Sequence, residues 1–163
     1  MDVTVEKDKL KEAILICSIH IDRIEFAYSK IDNLLPLTIE VFHDLEPETT
    51  SYIDQLIFRF SKLQDSMGNK LFPSLLTNLG EEVRAVPFID LLNRLETLEL
   101  LKASDWLLLR ETRNILSHEY PFDATDIVEG LNLLHEQLKL ITSIWEKLEQ
   151  YVYQRFPEIQ TRF

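Results

Sequence analysis

Cysteine is almost missing from this 163-residue chain. Cys17 stands alone, which excludes an intramolecular disulfide framework and fits a reducing compartment. Glycine is scarce as well: three residues against 45% hydrophobic ones argue for an ordered, helix-rich protein rather than a loop-rich one. Positive charge is in short supply. Seventeen Lys and Arg face 28 Asp and Glu, a net charge of −11, which argues against broad coating of a nucleic acid though not against a small focused site. No apolar run approaches the ~20 residues needed to span a bilayer, so no membrane partner is expected. The start, Met1 to Glu6, lacks the basic and apolar regions of a secretory leader, and a cytoplasmic protein is the expectation. There is no Gly-rich phosphate loop and no Gly-x-Ser-x-Gly elbow. His20, His43 and His135 form no metal-like spacing with Cys17 or with one another, so neither a metal nor another cofactor is expected.

What is present is helical periodicity. Leu10, Ile14, Cys17, Ile21, Ile24, Tyr28, Ile31 and Leu35 recur at spacings of three and four, the apolar face of a long helix ending near Pro36. Thr49, Thr50 and Ser51 suit the N-cap of a second helix, which turns Ile53, Leu56, Ile57, Phe60, Leu63 and Met67 inward. Gly68, Asn69 and Pro73 predict a break or kink, and Gly80 an end. Pro87 fits the first position of a third helix carrying Phe88, Leu91, Leu92, Leu95 and Leu98. Ser104 can cap a fourth, which stops before Pro121. Asp123 or Thr125 opens the last, with a stripe from Ile127 through Leu131, Leu134, Leu138, Ile141, Trp145 and Leu148 to Val152. The expectation is one all-α domain over 1–163, an antiparallel bundle of four to five helices. The length of the outer helices, with Trp145, Tyr151 and Tyr153, leaves two readings open: a self-association surface or a larger monomeric core.

The densest polar chemistry lies at the end of the fourth helix, in Arg113-Asn114-Ile115-Leu116-Ser117-His118-Glu119-Tyr120, closed by Pro121. Five positions separate Arg113 from His118, about 140° around a regular helix, so the two do not share a face. Arg110, Asn114 and His118 do, at successive spacings of four, with Arg113 beside them. A histidine in a last turn meets the negative end of the helix dipole, which favours imidazolium. Pro121 disfavours helical geometry at Tyr120.

Arg113-Asn114-x3-His118-x-Tyr120, on the penultimate helix of an all-α bundle, resembles the HEPN superfamily. With the tyrosine it is similar to the HepT-like toxins of HEPN/minimal-nucleotidyltransferase toxin–antitoxin pairs. The resemblance implies a metal-independent endoribonuclease acting as a homodimer, with the two motifs meeting at the subunit interface and RNA, not DNA, as substrate. Arg113 would hold the scissile phosphate, His118 would move the proton, and Asn114 would orient the histidine or a phosphate oxygen. Arg110 would support them. Tyr120 would be the site of adenylylation by a separate nucleotidyltransferase antitoxin, since the chain carries no Gly-Ser pair followed by Asp-x-Asp. The alternative is a non-catalytic HEPN-like binding or scaffold subunit for a nucleotidyltransferase. The low isoelectric point favours that alternative; an intact Arg113 and His118 favour the enzyme.

Overall fold

A computed structural model of the chain describes residues 2–117 and 124–160. Helices α1 (Val3–Ile31), α2 (Ile39–His43), α3 (Pro47–Ser66), α4 (Phe72–Asn78), α5 (Phe88–Thr97), α6 (Ala103–Leu116) and α7 (Thr125–Arg155) follow one another, with no strand among the described residues. The fold is all-α. A π turn at Met67–Leu71 joins α3 to α4 into one rod, so α1, this rod, α5, α6 and α7 form the bundle and α2 is a short extra turn. No helix among the described residues is long and apolar enough to cross a membrane.

Side-chain pairings fix the directions. Glu6 meets Asn78, His20 meets Arg59 and Phe26 meets Tyr52, so α1 rises as the α3–α4 rod descends. Thr112 with Gln137, and Leu116 beside Gly130, set α6 antiparallel to α7. Lys7 with Glu158 and Tyr28 with His135 do the same for α1 and the α7 end. Inside lie Leu10, Ile14, Ile24, Phe60, Phe72, Leu92, Leu131 and Leu148, each wholly buried. Burial of these apolar stripes around one core is what drives such a bundle, at roughly 25 cal/mol per Å² removed from water.

Several local expectations need correction. The α3 N-cap is Glu46, not Thr49–Ser51. Pro47 opens the helix, and the Thr50 and Ser51 hydroxyls donate back to the carbonyls of Glu46 and Pro47. Gly68 and Pro73 cause no break. Pro73 lacks the N–H that an α-helical bond to Asn69 requires, and widening the turn before it removes the clash of its ring. The Phe72 N–H reaches the Met67 carbonyl instead. Ser104 is not the cap of α6. The Glu96 carboxylate, from the end of α5, accepts the Ala103 N–H at 2.9 Å. Pro87 stands one place ahead of α5, at its N-cap. Gly80 does end α4, with φ of 87° and bonds from Gly80 to Thr77 and Glu81 to Leu76 that satisfy the last carbonyls. Thr125 is the first residue of α7; Asp123 lies outside the described residues.

The aromatic residues near the end of α7 are used internally. Trp145 is buried and Tyr151 and Tyr153 pack half-buried against the core, which favours the larger core over a free aromatic face.

Candidate functional site

Trp106, Arg110 and Arg113 recur at intervals of four and three on α6, so they lie along one side of it. That side faces the π turn and the start of α5. Together with Gln64, Asp65, Gly68, Asn69 and Phe88 they line an open cleft of about 340 Å³. Its rear wall is aromatic: the Phe72 ring lies 4.7 Å from that of Trp106 at 63°, an edge-to-face contact, and stacks on Phe88 at 6.5 Å. Gly68 brings the π turn close to this wall, 3.6 Å from Phe88 and 3.7 Å from Trp106 as measured from an added Cβ.

The two arginines are held differently. The Arg110 guanidinium sits 5.7 Å over the Phe88 ring and is otherwise exposed, a cation on an aromatic face. Arg113 donates through Nη2 to Asp65 Oδ1 at 2.8 Å, the side chains being 31% and 42% exposed. Its Nε is buried without a partner. A guanidinium carries five donors, so the bond to Asp65 does not use all of them. A part-exposed ion pair of this kind is worth about 0–1 kcal/mol. A phosphate could add a bidentate, charge-assisted contact to the same fork, so Asp65 both positions Arg113 and competes for it.

Among the sequence-predicted residues, Arg110 and Arg113 are therefore brought together on one cleft. Asn114 is exposed and does not line it; its carbonyl accepts the Ser117 hydroxyl at 2.8 Å, closing the helix end. Arg113 thus shares the cleft with Arg110, while Asn114, four residues after Arg110 on the same helix, stays outside its lining. His118 and Tyr120 lie outside the described residues. Asp65 was missed by sequence reasoning. It is 48 positions from Arg113, and its only local sign is a carboxylate beside the inward positions Leu63 and Gln64.

Other reactive groups are accounted for within the fold. Burial pushes the Cys17 thiol up to about 12, so it is a core residue and not a nucleophile. The Tyr28 hydroxyl is hydrogen-bonded to His135 Nδ1 at 2.8 Å, with the rings stacked. His20 accepts from Arg59 Nη1 at 3.2 Å, and burial, with Arg59, Lys62 and Lys70 nearby, lowers its pKa from 6.5. A larger cleft of about 480 Å³ between α1 and the α4–α5 connection contains Glu6, Glu12, Glu81 and Glu82 but no residue of the motif. Comparison of the chain with protein-family models, with characterised proteins and with solved structures finds no match.

Proposed function

We propose that this protein is a metal-independent endoribonuclease, the toxin of a HEPN/minimal-nucleotidyltransferase pair. The observation that carries the reading is the Arg113-Asn114-x3-His118-x-Tyr120 pattern, whose arginine lines an open cleft on the penultimate helix of an all-α bundle. Arg113 and Arg110 would hold the scissile phosphate and stabilise its growing charge. The ribose 2′-oxygen would then bond to phosphorus while the bond to the 5′-oxygen breaks. One His118 takes the 2′-proton and a second His118 delivers a proton to the leaving 5′-oxygen. Two histidines are needed, and a homodimer supplies them. Leu107, 41% exposed and two turns before Asn114 on the same side of α6, is suited to such an interface. Adenylylation of Tyr120 by a partner nucleotidyltransferase would set a negative group near the phosphate site and silence it.

The second reading is a non-catalytic subunit that scaffolds a nucleotidyltransferase. The Arg113–Asp65 pair and the charge of −11 favour it. Expression in a bacterial host separates the two. The nuclease reading expects arrested growth with cleaved RNA, relieved by His118→Ala and by Arg113→Lys, whose ammonium lacks the planar fork. Harmless expression of the unmodified wild type, with no cleavage by purified dimer, overturns it. An intact mass after co-expression with the nucleotidyltransferase should gain one or more AMP units, mapped to Tyr120.

A further inference from the structure

A second cleft opens on the other side of Asp65. Ile16 and His20 of α1, Lys62 and Ser66 of α3, and Asn69 and Lys70 of the π turn line it, over about 300 Å³. Asp65 and Asn69 belong to the walls of both clefts, so the two adjoin. Their charge departs from that of the chain as a whole. Between Gln55 and Gly80 the only carboxylate is Asp65, set against Arg59, Lys62 and Lys70; α6 adds Arg110 and Arg113 to the cleft, its own carboxylates Asp105 and Glu111 lying outside the lining. A protein of net charge −11 thus lines the two clefts with Lys62, Lys70, Arg110 and Arg113 against the one carboxylate of Asp65.

The same strip carries an exposed aromatic ring. Phe58 is 52% exposed, and the Arg59 and Lys62 side chains each lie 5.6 Å from its centroid. Phe58, Lys62 and Asp65 follow at spacings of four and three, so they share one helix face leading to the Arg113 cleft. A solvent-exposed phenylalanine flanked by cations, in line with two open basic clefts, is the combination used to hold single strands: cations on the backbone and a ring for a base.

We infer that the two clefts are neighbouring phosphate subsites of one track for single-stranded RNA. Arg110 and Arg113 take one phosphate, Lys62, Lys70 and the His20 side take the next, and Phe58 stacks a base beyond it. This rests on the ribonuclease reading and adds where the strand runs and why a strongly acidic chain retains affinity for it. Asn69, between the clefts, contacts the strand where it crosses Asp65.

The test is fluorescence anisotropy with 2′-O-methyl oligo(U) of about 12 nucleotides, which keeps the phosphodiester backbone and lacks the free 2′-hydroxyl that cleavage needs. Binding is measured across a KCl series for wild type, Lys62→Ala/Lys70→Ala and Phe58→Ala. All three positions are exposed, so the variants should keep the wild-type circular dichroism spectrum and melting transition. Loss of two phosphate contacts should make the slope of log K against log salt shallower by about 1.4, at about 0.7 per contact on a single strand. Phe58→Ala should weaken binding about tenfold with the slope unchanged. Wild-type affinity and slope in the double variant overturn the track. Cleavage of unmodified RNA is read in parallel. Cleavage by wild type with unaltered binding in the variants sinks the track alone, whereas salt-dependent, variant-sensitive binding without cleavage sinks the ribonuclease reading alone.

Discussion

Replacing Gly130 by alanine tests how tightly the motif-bearing end of α6 is seated. Gly130 lies in the interior of α7 and is buried. A Cβ there would come 2.6 Å from Leu116 Cδ2, 2.7 Å from Leu116 Cγ and 3.2 Å from Ile115 Cγ2. Carbon atoms prefer separations of about 3.5–4.0 Å, so Leu116 must move by roughly 1 Å. In an exposed helix the change would stabilise the protein by about 1 kcal/mol, because alanine is the better helix former. Overpacking a filled core costs about 1–3 kcal/mol, so the net expectation is a loss of about 1 kcal/mol. At this chain length that lowers Tm by about 2–4 °C. Urea titration of wild type, Gly130→Ala, Leu116→Ala and the double variant gives the full cycle. Leu116→Ala alone should cost about 2–5 kcal/mol. In its background the new methyl has room, so Gly130→Ala should become stabilising, with a coupling of about 2 kcal/mol between the sites. Gly130→Ala that raises stability in the wild-type background, or a coupling near zero, refutes the close approach. Leu116 is two residues before His118 in sequence, so on the ribonuclease reading proposed above the same shift should also slow RNA cleavage.

Asp65→Asn removes the anion competing for Arg113 and should strengthen binding of 2′-O-methyl oligo(U) up to about fivefold, the worth of a part-exposed pair; weaker binding would mean that Asp65 orients the guanidinium more than it occupies it. His20 has a folded pKa below its ordinary 6.5, so the unfolded chain takes up the proton first as pH falls. Stability should therefore be unaffected by His20 above about pH 6.5 and decline below it, and the urea midpoint of His20→Gln should fall less than that of wild type between pH 7.5 and 5.5; parallel declines would remove His20 as the source. Glu99 ends α5 with φ of 61°, a left-handed conformation that costs a side-chain-bearing residue about 1–2 kcal/mol. Glu99→Gly should raise Tm by a few degrees, and an unchanged or lower value in a thermal melt would contradict that strain.

The all-α class and most of the core were legible in the residue spacing alone. The three-and-four spacing of Leu10 through Ile31, and of Leu131 through Val152, encodes a buried stripe wherever the partner helix lies, because helical geometry alone puts those residues on one side. Gly80 was legible as a stop for the same local reason: its backbone adopts a φ that other residues resist. The Arg113 to Tyr120 pattern was read from one short stretch, of which His118 to Tyr120 lie outside the described residues. The setting of Arg113 was not legible there. Asp65 reaches Arg113 from another helix, Glu96 caps α6 from the end of α5, and Lys62 and Lys70 gather on His20 only because α1 packs antiparallel to α3. These contacts have no period and no fixed separation in the chain. They arise when apolar stripes pair in one register and bring distant polar residues to a shared rim, and that register is a property of the packed bundle.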